Sequence, residues 1–114
     1  MSEQRVFMIA NLKINDKNTY QIYEKGFFPI LKKYGGEFVT YDDSVETFEG
    51  STPLEGRTVI FSFPSPEKAR EWFNDPDYQK LAIHRRTAAE LKNLSMIKSL
   101  HDRKYINFKY LDYL

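Results

Sequence analysis

The chain has 114 residues, enough for one domain, and its 17 Lys and Arg against 16 Asp and Glu leave a formal charge of +1. That balance argues against a dedicated nucleic-acid binder, which gathers a basic excess on one face. Cysteine is absent, which excludes disulfide frameworks, thiolate catalysis and cysteine-ligated metal sites, and the longest early apolar run, Val6 to Ala10, is too short for a secretory core or a membrane span.

The expectation is therefore a cytoplasmic protein with no nucleic-acid or membrane partner. Nine Phe, eight Tyr and one Trp supply ample bulk for a core.

Residues 5–13 alternate, with Val6, Met8, Ala10 and Leu12 opposite Phe7, Ile9, Asn11 and Lys13, the period of a strand. Both sets are largely apolar, which predicts a central strand. Asn15 and Asp16 offer a helix cap, and Tyr20, Tyr23, Phe27, Ile30, Leu31 and Tyr34 then recur at helical spacing. Pro29 predicts a kink or restart near residues 26–29, and Gly35-Gly36 predicts the stop.

Residues 37–49 read as a long, bent or bulged edge strand, with Phe38 and Thr40 opposite Val39 and Tyr41 and an interruption at Asp42-Asp43-Ser44. Arg57 to Phe63 reads as a second central strand. Ser65-Pro66-Glu67 is a helix start, with a serine cap, proline at the first position and an acid at the positive end of the dipole. Asn74-Asp75-Pro76-Asp77 repeats it, so a short helix bearing Ala69, Trp72 and Phe73 gives way to one bearing Tyr78, Leu81, Ala82, Ala88, Ala89 and Leu91. A last strand is expected at roughly residues 94–100.

The order β-α-β-β-α-β is the ferredoxin-like α+β arrangement of an antiparallel sheet, whose first and third strands lie centrally. Helices on one sheet face leave either the Phe7, Ile9 set or the Met8, Ala10 set uncovered, and a second copy of the chain is the simplest cover, so a homodimer is expected. Residues 1–100 form that domain. Residues 101–114 form an extension with seven Tyr, Ile, Phe or Leu among its last ten residues, expected to pack on the domain or on a partner subunit.

The segments Val6-Phe7-Met8-Ile9-Ala10-Asn11, Tyr34-Gly35-Gly36-Glu37-Phe38, Phe48-Glu49-Gly50, Phe63-Pro64-Ser65 with Ala69 and Trp72, and Pro76-Asp77-Tyr78-Gln79 with Arg85 resemble the domain-of-unknown-function family numbered 1330 over about residues 5–100. The resemblance implies a dimeric α+β barrel in which two ferredoxin-like monomers pack sheet against sheet. The family has no established reaction, and its wider superfamily holds small monooxygenases, haem-degrading enzymes and lactone isomerases, so the fold does not choose among them.

The candidate site residues follow from the helical face after Pro76. Arg85 aligns with Tyr78, Ala82 and Ala89, and His84 with Leu81, Ala88 and Leu91, which would bring a guanidinium and an imidazole toward the interior as an anion-binding fork and a titratable group. The alternative is a pair snorkelling at the helix edge. His84 and Tyr23 are the catalytic candidates, and Asn11, Trp72, Tyr78 and Arg85 the ligand-binding ones. Asn11, Trp72 and His84 are also residue types used by haem-degrading proteins, although Trp72 equally suits a core position.

Tyr20, Tyr23, Tyr34, Tyr41 and Tyr78 read first as core or rim aromatics. Asp42-Asp43 reads as a turn before it reads as a cation site, because adjacent strand residues face opposite ways. The basic-glycine-aromatic signature of an RNA-recognition module is missing from residues 57–63, as are phosphate loops, nucleophile elbows and paired-histidine zinc motifs.

No metal and no cofactor is called for. The leading reading is a pocket between sheet and helices that binds a small organic molecule, the alternatives being a non-catalytic assembly module or a cofactor-independent monooxygenase or isomerase.

Overall fold

A computed structural model describes residues 4–100; the aromatic extension expected to pack on the domain or a partner lies outside the described residues. The elements are β1 (Val6–Ile14), α1 (Lys17–Lys33), β2 (Glu37–Asp42), β3 (Arg57–Phe63), α2 (Pro66–Asn74), α3 (Pro76–Ala88) and β4 (Ala89–Lys98). The sheet is antiparallel with strand order β2-β3-β1-β4, so β1 and β3 are the central pair, as in the ferredoxin-like fold.

Alternation in β1 sorts its side chains. Val6, Met8, Ala10 and Leu12 are buried beneath the helices, whereas Phe7 and Ile9 are half-buried on the outer face. Tyr20, Tyr23, Phe27 and Leu31 of α1 are buried one turn apart, closing the inner face with Phe61, Phe63 and Trp72.

Caps fix where the helices begin and end. Asp16 accepts the Thr19 amide at 3.1 Å, and α1 ends as Gly36 donates to the Leu31 carbonyl and Gly35, at φ 72°, donates to that of Lys32. The expected interruption at Pro29 does not occur: α1 runs through it. Pro29 and Lys25 are both exposed, so the carbonyl deprived of its donor lies on the solvated side while Phe27 and Leu31 hold the other side.

Asp75 joins three helices. Its N–H donates to the Trp72 carbonyl at the end of α2, its Oδ1 accepts from Asp77 and Tyr78 at the start of α3, and its Oδ2 accepts from the Tyr34 hydroxyl and, at 3.0 Å, from Lys33 Nζ at the end of α1. These donors, Tyr34 first, hold the buried carboxylate well below the usual carboxylate range. The consequence is positional: Trp72 and Tyr78 leave the junction with ring centroids 4.2 Å apart.

Two further expectations are corrected. The helix ends at Ala88 and β4 begins at Ala89 with no loop between them, so Ala89 and Leu91 belong to the strand and not to the helix. The reason is local: the Ala88 carbonyl accepts the amides of Asn15 and Asp16, and Ala89 pairs with Ile14. The edge strand stops at Asp42 and does not reach residue 49, because Asp42 Oδ1 accepts the Ser44 amide at 2.7 Å and turns the chain out of the ladder.

Candidate functional site

Two register shifts shape the inner face. In β2 the pairing with β3 slips around Val39, so that Phe38 opposes Phe61 and Tyr41 opposes Val59; in β4 the pairing with β1 slips around Lys92, so that Leu91 opposes Leu12 and Leu94 opposes Ala10. Three residues apart, each pair would face opposite ways on a regular strand. The extra residue returns both members to the helix side. Tyr41 thus shares a face with Phe38, against the alternation expected from the sequence, and their ring centroids are 6.4 Å apart.

Between this face and the helices lies a cavity of about 110 Å3, partly open to solvent. Buried Ala10, Phe61, Trp72, Tyr78 and Arg85 line its depth, and exposed Phe28, Phe38 and Tyr41 line it toward the surface. Its polar groups are few, as in pockets that bind apolar molecules.

Arg57 closes one side of the mouth. Its Nε and Nη2 donate to Asp43 at 2.6 and 3.1 Å, its Nη1 donates to Glu24 at 2.9 Å, and its guanidinium lies 4.5 Å from the Tyr41 ring centroid and 5.7 Å from that of Tyr20. The Asp43 carboxylate is correspondingly held below its ordinary value. Every donor face of this arginine has a partner. A wider depression of about 400 Å3 shares Tyr20, Glu24 and Arg57 with the cavity, but its carboxylates, Glu24 and Asp43, are already paired to Arg57.

The deep arginine is different. Arg85 is 4% exposed, yet among the described residues it makes no hydrogen bond or ion pair, and its guanidinium lies 5.7 Å from the Tyr23 ring centroid. Beside it the Tyr23 and Tyr78 hydroxyls are 2.8 Å apart. Burial, followed by the neighbouring Tyr78, pushes the Tyr23 phenol well above 10, and burial pushes Tyr20 up to about 12. Both tyrosines keep their protons at neutral pH and present O–H donors. Trp72 Nε1 is buried without a hydrogen-bond partner among the described residues.

Of the candidate residues, Tyr23, Trp72, Tyr78 and Arg85 are brought together around the cavity. Asn11 is not. It belongs to the outer-face set of β1, and its amide donates to the Glu55 carbonyl at 2.8 Å, the Arg57 carbonyl at 3.1 Å and Thr58 Oγ1 at 3.2 Å, tying β1 to the start of β3. His84, one residue from Arg85, is half-buried on α3 and does not line the cavity, because a step of one turns the side chain by about 100° around the axis. The Arg57 clamp is the feature that sequence reasoning missed; its signal is an arginine in register with Val59 and Phe61 on the inner face of β3.

Residues 5–100 match the family model described as a domain of unknown function, DUF1330. The chain belongs to the DUF1330 family. No curated protein matches it. Among solved structures, this DUF1330 protein is similar to a protein of unknown function from Rhodopseudomonas palustris, with 19% identity over 85% of this chain and 82% of the other and a TM-score of 0.67. It is also similar to SnoaB, a cofactor-independent oxygenase from Streptomyces nogalater, at 11% identity over 84% and 93% of the two chains with a TM-score of 0.55. A Bacteroides thetaiotaomicron protein of unknown function, described as a possible oxidoreductase, gives 15% identity, 86% and 100% coverage and a TM-score of 0.59. At these identities the likeness is one of fold. No helix among the described residues of the DUF1330 chain is long and apolar enough to cross a membrane.

Proposed function

We propose that this protein binds a small organic molecule in the cavity between its sheet and helices, with Tyr23, Trp72, Tyr78 and Arg85 in contact with it. The observation that carries the reading is the cavity itself: two strand bulges and an aromatic wall frame about 110 Å3 of apolar space between sheet and helices. An apolar cavity of about 150 Å3 admits a benzene ring, so a single ring is the scale of the occupant once exposed Phe28 or Tyr41 yields at the mouth.

The chemistry that the lining supports is hydrogen-bond donation. Tyr23, with its raised pKa, is a proton donor and not a base, and the role sketched for His84 falls to the Tyr23–Tyr78 pair. SnoaB is a cofactor-independent oxygenase on this fold; for this chain, oxygenation or isomerisation without a cofactor is the reaction class that such a lining would serve.

The outer face supports pairing with a second copy. Phe7, Ile9 and Ile60 are half-buried and Ile97 is 50% exposed there, an apolar surface that no second layer covers among the described residues. Sedimentation velocity is expected to give a dimer that Ile97→Glu shifts toward monomer.

The binding reading is tested by amide chemical-shift mapping of the full chain titrated with phenol, benzyl alcohol and benzoate. Saturable shifts clustered on α1, α3 and the cavity side of β1 are expected. No saturable shift with any probe, or shifts confined to the outer sheet face, would overturn it.

A further inference from the structure

We infer that the molecule this cavity takes is an organic anion, a compact apolar or aromatic body whose carboxylate or ionised enol is set against Arg85. The inference rests on the binding reading above and adds the charge of the ligand.

The two arginines of the cavity make the first argument. Arg57, at the mouth, shows how this fold holds an arginine that serves structure: two carboxylates at hydrogen-bonding distance and two aromatic rings. Arg85 is more deeply buried and has no carboxylate at all among the described residues. A guanidinium does not shed its proton, so Arg85 is a buried charge without a counter-charge among the described residues. An unpaired buried charge is costly, and a counter-charge that arrives from outside removes that cost.

A count of protons makes the second. Between the hydroxyls of Tyr23 and Tyr78, one O–H donates to the other oxygen, which leaves the second O–H without an acceptor among the described residues. The single carboxylate that lines the cavity among the described residues, Glu24, is bound to Arg57. Among the described residues the cavity lining therefore holds two groups with donors left over, the Arg85 guanidinium and one phenol of the tyrosine pair, and no unpaired carboxylate to match them. A ligand that offers acceptor oxygens bearing negative charge suits both, and a cation suits neither. The cavity volume limits the apolar part to about one ring.

Trp72 is the sole tryptophan of the chain and forms part of the wall, so its fluorescence reports occupancy directly. The test compares benzoate with benzyl alcohol, one ring with and without the charge, on the full chain at neutral pH. Benzoate is expected to change the Trp72 emission saturably with an affinity about tenfold or more above that of benzyl alcohol, the size of a charge-assisted contact. Arg85→Met is expected to reduce that preference to about one while benzyl alcohol still binds, and Arg85→Lys to retain part of it.

Benzyl alcohol binding as tightly as benzoate to the unmodified protein would overturn the anion inference and leave the binding reading standing. No response to either probe, in fluorescence or in amide shifts, would overturn both. The comparison on the unmodified protein decides the inference even where Arg85→Met fails to fold.

Discussion

The hydroxyl pair at the bottom of the cavity offers a sharp test of how the site is built. Tyr23 is 7% exposed and Tyr78 is fully buried, and their oxygens are 2.8 Å apart with no other side-chain or backbone partner among the described residues. Replacing either by Phe removes one hydroxyl and strands the other in an apolar wall. A stranded buried hydroxyl costs about 1–3 kcal/mol, so Tyr23→Phe and Tyr78→Phe are each expected to destabilise by about that amount. Removing both leaves no unpaired group and keeps the ring contacts at 6.2 Å between the two centroids. The double variant is therefore expected to lie within about 1 kcal/mol of the unmodified protein, well below the sum of the single effects, giving a coupling of about 1–6 kcal/mol in a double-mutant cycle. Urea unfolding of the four proteins, with midpoints compared at common slope, measures it. Additive single effects, with the double variant as unstable as their sum, would refute the reasoning and show that each hydroxyl finds its own partner.

Other elements give further expectations. Arg57→Met removes two ion pairs whose carboxylates are 43% and 56% exposed, so each is worth less than about 1 kcal/mol, and with the ring contacts the loss in urea unfolding is expected to total about 1–2 kcal/mol. Gly56 sits at φ 74°, where an added Cβ would collide with the Leu12 carbonyl oxygen, so Gly56→Ala is expected to destabilise by at least about 1 kcal/mol in the same urea assay. Asp75 has its native pKa depressed by Tyr34 and Lys33; its contribution to stability is complete above the ordinary carboxylate value of about 4 and is lost as the pH falls below that toward the native value. Thermal unfolding across the acid range is expected to show a decline below about pH 4 that Asp75→Asn makes shallower while lowering stability at neutral pH. A slope unchanged by Asp75→Asn would remove the helix junction from the acid-sensitive groups.

Much of the fold is legible because its signals are local. The alternation of Val6 to Leu12, the three- and four-residue spacing of Tyr20, Tyr23, Phe27 and Leu31, and the serine and aspartate caps at 65 and 75 each act within a turn or two of chain. The same reasoning finds Tyr78, Ala82 and Arg85 on one buried helix face. What escapes it is set by distant partners. Tyr41 and Leu91 reach the cavity because β2 and β4 slip against their neighbours, and nothing in a single strand's own pattern announces a slip made in pairing.

Asn11 reads as a site residue by type and position, but its partners are backbone carbonyls more than forty residues away in the chain. Pro29 reads as a break, but packing of the opposite helix face overrides one missing hydrogen bond on the solvated side.

The central claim, that the space between sheet and helices receives a small molecule, is tested most directly by a crystal structure of the full chain grown with benzoate. The ring is expected against Trp72 and Phe61, with a carboxylate oxygen within hydrogen-bond distance of the Arg85 guanidinium. A cavity closed by the protein's own side chains, with Arg85 paired to one of its own carboxylates and benzoate absent from the space, would contradict it.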